Sequence, residues 1–137
     1  AAVGAPDAYA GELPVAFASL KPGAQVSEQA LLAFTAERVD EAPAKPKRIT
    51  ILERMPVTNV GKIYKPELRT LATAAVVQGL IEQALPPLQT PAPQWPSVHA
   101  AGDGPVEVDA RATPPAVWAN LQPLLAALPV KLVLHAP

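Results

Sequence analysis

The chain has 137 residues and a formal net charge of −1; half of its residues are hydrophobic, yet only six are aromatic. That length holds one domain with a modest core, or a small domain with an appendage, and the core must be aliphatic and alanine-rich. The absence of cysteine excludes disulfides and thiolate metal sites. No apolar run approaches the ~18 residues of a membrane span and no basic segment precedes the first apolar residues, so neither a span nor a signal peptide is expected.

Taken in order, residues 1–4 form an apolar run with strand character, as though cut from something longer. Asp7 to Glu12 has turn chemistry, and Val15 to Leu20 reads as a second strand, so the two are expected to form a hairpin. Ser27 is a good N-cap and Glu28 complements the helix dipole. Over 28–40, Leu31, Thr35 and Val39 recur at four-residue steps, flanked by Leu32 and Phe34, predicting an amphipathic helix packed on a sheet. Residues 47–54 form the next strand. Pro66 suits the first turn of a helix running to about residue 84, with Leu68, Leu71, Ala72, Ala75, Val76 and Leu80 as its buried face. Gly79 in that helix costs roughly 1 kcal/mol relative to alanine.

Residues 86–105 contain six prolines with Gly102 and Gly104, and read as a linker anchored by Trp95. The pattern then resumes. Val106, Val108 and Ala110 alternate as a strand, Thr113 caps a helix from Pro114, and Val117, Leu121, Leu124, Leu125 and Leu128 form its apolar stripe. Val130, Leu132 and Leu134 alternate again, so the last two strands are expected to be parallel. The predicted class is therefore α+β: a small, mostly antiparallel sheet flanked by helices in residues 1–85, a linker at 86–105, and a strand–helix–strand appendage at 106–137.

Charge is unevenly spread. Residues 45–69 hold seven cations (Lys45, Lys47, Arg48, Arg54, Lys62, Lys65, Arg69) against Glu53 and Glu67, a local +5 in a chain whose remainder carries −6. Such a segment points to an anionic partner on one surface. Without interleaved aromatics to stack bases, a phosphate-bearing small molecule fits better than nucleic acid. His99 and His135 lie in unrelated contexts, and no metal site is expected.

The chemistry-bearing stretch is Pro56-Val-Thr-Asn-Val-Gly-Lys-Ile-Tyr-Lys-Pro66, between a strand and a helix. Gly61 lets the backbone turn sharply or approach a ligand beside Lys62. A lysine at such a turn is a compact charge that can be aimed at phosphate or carboxylate oxygens. A phosphate-cradling P-loop is excluded, because Pro56 replaces its first glycine and Ile63 its magnesium-binding hydroxyl.

Pro56, Thr58, Gly61, Lys62 and Lys65 stand in the register of the closing motif of the adenylate-forming superfamily, which includes acyl-CoA synthetases, adenylation domains and luciferases. Upstream, Ala2-Val3-Gly4-Ala5-Pro6-Asp7, Gly11-Glu12-Leu13-Pro14-Val15-Ala16-Phe17 and Pro46-Lys47-Arg48 resemble that family's C-terminal domain. The likeness covers about the first 70 residues and is greatest to medium- and long-chain acyl-CoA synthetases.

The resemblance implies an ATP-dependent ligase fragment that activates a carboxylic or fatty acid as an acyl-adenylate and passes it to coenzyme A. Lys62 would be the catalytic residue, with Gly61, Thr58 and Lys65 supporting its loop. Lys47 and Arg48 would contact coenzyme A phosphates. ATP, coenzyme A and Mg2+ would serve the full-length enzyme, with none bound to this fragment. Its partner would be a missing N-terminal domain that binds the small-molecule substrates, and the setting would be cytoplasmic. The fragment alone is expected to be inactive. The motif's context also resembles that in which bacterial acyl-CoA synthetases are switched off by lysine acetylation, which would remove the Lys62 charge. Two alternatives stay open: a lid loading a carrier-protein thiol, and a non-catalytic interaction module. No family likeness extends to the last thirty residues.

Overall fold

A computed structural model describes residues 1–84 and 95–137. Its first sheet has the order β1-β2-β3, with β1 at Ala2–Asp7, β2 at Gly11–Ala18 and β3 at Ile49–Ile51. β1 and β2 form the expected antiparallel hairpin, with Val3 opposite Val15 and Asp7 opposite Gly11. The Asp7 carboxylate closes the turn by accepting from the backbone N–H of Tyr9 and Ala10 at 3.0 and 2.7 Å. β3 is shorter than the predicted 47–54 and pairs parallel with β2, Ala16 to Ile49 through Ala18 to Ile51, so the sheet is mixed.

Helix α1 (Glu28–Arg38) makes the crossover between β2 and β3. Ser27 caps it, its Oγ accepting from the Ala30 N–H at 3.0 Å. Glu28 reaches across instead, accepting from the Ile51 N–H at 2.8 Å and occupying a donor on the outer edge of the sheet. The expected stripe is only half covered: Leu31, Leu32, Thr35 and Val39 are half-buried where α1 meets β3, none of the helix's residues is fully buried, and Phe34 is 54% exposed beneath the Arg38 guanidinium. The fully buried contacts of the sheet come from α2.

Helix α2 (Lys65–Ala84) is the spine of the molecule. Its first half packs Leu68 and Ala72 against Val3, Ala5, Val15 and Phe17. Its second half places Val77 and Ile81 in another core with Val106, Val108, Ala110, Trp118, Leu121, Leu125 and Leu128. Serving two cores turns different faces inward along its length. Leu68, Thr70, Ala72, Thr73, Val77 and Ile81 are therefore the buried residues, while Leu71, Val76 and Leu80 are only partly covered. Each fully buried Leu, Ile or Val contributes roughly 1.5–3 kcal/mol. A Cβ built at Gly79 meets nothing within 4 Å, so no close helix contact requires that glycine.

The second sheet has the order β4-β5-β6, with β4 at Ser97–His99, β5 at Glu107–Asp109 and β6 at Val133–His135, and helix α3 (Pro115–Ala126) lies between β5 and β6. β5 and β6 are parallel, as expected. β4 falls inside the segment expected to be a linker and pairs antiparallel with β5; the rest of that expectation, residues 86–94, lies outside the described residues. Trp95 is 42% exposed. Thr113 does not cap α3. Pro114 holds the cap position without a side-chain bond, and the buried Thr113 hydroxyl has no hydrogen-bond partner among the described residues. Among the described residues, no helix is long and apolar enough to cross a membrane.

Candidate functional site

The segment linking β3 to α2 is a miniature hairpin. Val57 bridges Ile63 antiparallel, the Tyr64 N–H donates to the Pro56 carbonyl at 2.8 Å, and the Thr58 N–H donates to the Lys62 carbonyl at 2.7 Å. At the tip, the Gly61 N–H donates to the Thr58 carbonyl at 2.9 Å and Gly61 has φ +81°. A turn followed by a left-handed residue is the three-residue hairpin loop, and that backbone favours glycine. A Cβ at Gly61 meets nothing within 4 Å, so the dihedral angle alone selects glycine.

Thr58 locks the turn a second time, its Oγ1 accepting from the Lys62 N–H at 3.2 Å. The backbone of Lys62 is thus held from both its N–H and its carbonyl. Its side chain is exposed and makes no ion pair with any described residue. Around it the hairpin displays apolar surface: Val57, Val60 and Ile63 are 55%, 80% and 46% exposed. A held cation among exposed aliphatic side chains is a surface suited to entering a cleft in another body.

The structure brings Thr58, Gly61 and Lys62 together in this hairpin. Lys65 follows three residues on, as the first and exposed residue of α2. Lys47 and Arg48 do not join them. They precede β3, tied to β2 by the Lys47 N–H to the Pro14 carbonyl (2.8 Å) and the Ala16 N–H to the Arg48 carbonyl (2.9 Å). The hairpin leaves the other end of that strand, so the basic segment presents two separate surfaces. Among the described residues, no group of three or more His, Asp or Glu could hold a metal ion.

One participant escapes the sequence reading. The Tyr64 hydroxyl donates to the Asp103 carboxylate, 39 residues away, and that acceptor holds the phenol above its ordinary range. Tyr64 lies within the motif, but nothing in the spacing points to Asp103, which sits between two glycines in a segment that looked like linker.

Residues 1–62 match the family described as the AMP-binding enzyme C-terminal domain. The chain is 43% identical over 82 residues to a marinolic acid–CoA ligase of Pseudoalteromonas sp. (strain SANK 73390), an overlap of 60% of this chain and 12% of that protein. It is 39% identical over 79 residues to an acetyl-coenzyme A synthetase of Deinococcus radiodurans, covering 58% of this chain and 12% of the synthetase. Over 74 residues it is 36% identical to a probable acyl-activating enzyme 8 of Arabidopsis thaliana, covering 53% of this chain and 13% of the relative. The match thus spans about an eighth of the relatives' length. Over residues 1–62 the chain is thus similar to the AMP-binding enzyme C-terminal domain, and the relatives that it matches include CoA ligases and an acetyl-coenzyme A synthetase.

Proposed function

We propose that this chain is the lysine-bearing lid of an ATP-dependent, AMP-forming acyl-CoA ligase. The observation that carries the reading is Lys62: an exposed ammonium with no ion-pair partner among the described residues, on a doubly held backbone, in a hairpin whose neighbours are apolar and uncovered. Relatives that are CoA ligases supply the reaction class, and coenzyme A is accordingly favoured over a carrier-protein thiol as acceptor.

In the proposed reaction a carboxylate oxygen attacks the α-phosphorus of ATP and pyrophosphate leaves with its bridging oxygen. A thiolate then attacks the acyl carbonyl and AMP departs. The first step crowds negative charge between two groups that repel each other. Lys62 bridges them, offsetting that repulsion as the new bond forms. Thr58 and Gly61 fix the backbone from which the ammonium is aimed. Lys65 adds a second cation nearby, and Lys47 and Arg48 form a separate surface toward coenzyme A phosphates. Mg2+ would arrive with ATP. The adenine and acyl pockets are assigned to another domain, against which the apolar hairpin tip docks, so the chain alone is expected to turn over no substrate.

The test is ATP–pyrophosphate exchange with the chain fused to its nucleotide-binding partner. Lys62→Ala should lower exchange by roughly 10²–10³-fold. Lys62→Arg should also fail, because a planar guanidinium cannot replace a compact ammonium. Full exchange by either variant would contradict the assignment.

A further inference from the structure

Among the described residues, the C-terminal unit (β4-β5-α3-β6) reaches the lysine hairpin through the turn Ala101–Gly104. There the Gly104 N–H donates to the Ala101 carbonyl at 3.1 Å, closing the turn. Two bonds run from this turn, one to the motif and one to the helix that follows it. The Asp103 carboxylate accepts from the Tyr64 hydroxyl, and the Gly104 carbonyl accepts from Thr70 Oγ1 at 3.2 Å. Tyr64 is the hairpin's last paired residue, two positions from Lys62, while Thr70 lies in the second turn of α2. One turn between β4 and β5 therefore holds both the base of the hairpin and the helix that follows it.

From this geometry we infer that Asp103 is a positioning residue for Lys62, acting through Tyr64, and that the C-terminal unit tunes the adenylation step. This inference rests on the function proposed for Lys62. A hairpin of two short arms pivots at its base. Its tip side chain must lie within a fraction of an ångström of the reacting oxygens, so restraint at the base is expressed as rate. Asp103 is exposed and fills no core, and Tyr64 is only half-buried. Neither residue is in the position of a structural keystone. Their contact has a geometric consequence for the hairpin and little for stability.

The test compares Tyr64→Phe, Asp103→Asn, their double variant and Asp103→Glu in the fused enzyme, measuring both half-reactions. Adenylation kcat should fall roughly three- to tenfold in each single variant. The double variant should be no worse than either single one, and Asp103→Glu should recover most of the rate. KM for the acid and the rate of thioester formation from preformed acyl-adenylate should not move. Additive losses, equal slowing of both half-reactions, or no loss at all would each overturn the inference. If Lys62→Ala is inactive while Asp103→Asn is fully active, only the positioning role fails. If Lys62→Ala is itself fully active, the underlying function fails. The brace is then decided by NMR of the chain, where Asp103→Asn must shift the Gly61 and Lys62 amide signals.

Discussion

The molecule contains the same arrangement twice. β1-β2-α1-β3 and β4-β5-α3-β6 are each an antiparallel strand pair followed by a helix and a strand that returns parallel to the second. The two units solve the problem of a core differently. In the second, the crossover helix is the core: Trp118, Leu121 and Leu125 of α3 are buried against β5 and the end of α2. In the first, no residue of the crossover helix is fully buried, and the sheet takes its buried apolar partners, Leu68 and Ala72, from α2. Because α2 returns to cover the first sheet, the link from β3 to α2, residues 52–64, is held at both ends, and it carries the lysine hairpin.

Substitutions separate the two cores. Trp118→Ala should cost the second unit about 3–5 kcal/mol, since it empties the centre of a helix-built core. Thermal unfolding followed by circular dichroism should show a large loss. Gly61→Ala should cost about 1 kcal/mol, because alanine is strained at φ +81° where nothing crowds its methyl group. Chemical denaturation measures it, and adenylation should fall further than stability does. Phe34→Ser on α1 should stay within about 0.5 kcal/mol, the opposite of the Trp118 result on the equivalent helix. A loss of several kcal/mol there would show that α1 does carry the first core.

The smallest effect concerns Asp109. Its carboxyl is held well below the usual carboxylate range, first by the Arg111 guanidinium at 2.6 Å and then by the Arg111 N–H. A carboxyl depressed in the folded state contributes above its unfolded pKa, and the contribution disappears as pH falls through the folded value. Arg111 is exposed and Asp109 only half-buried, so the effect on stability should be small at neutral pH. Arg111→Ala should move the Asp109 titration up toward the ordinary range in a carbon-detected NMR titration.

Local pattern made much of this legible. The first hairpin, the Ser27 cap, the three helices and the parallel closing strand all follow from spacing and capping chemistry, because those signals lie within a dozen residues of one another. What escaped depends on distant partners. β4 is three residues among prolines and exists through pairing with β5. The stripe on α1 is only half covered, against β3, because the buried core of that sheet is completed by Leu68 and Ala72 of α2. Thr113 has the identity of a cap but not the position. At the site, Gly61 and Lys62 were visible because the turn needs glycine locally. Asp103 was invisible because its bond to Tyr64 exists only once two sheets are packed on one helix.

The central claim is that the hairpin aims Lys62 at the adenylation step alone. The most direct measurement is single-turnover kinetics of the fused enzyme, wild type and Lys62→Ala, timing acyl-adenylate formation and then thioester formation from preformed adenylate. The prediction is a roughly 10²–10³-fold loss in the first and little change in the second. Equal loss in both, or no loss in the first, would contradict it.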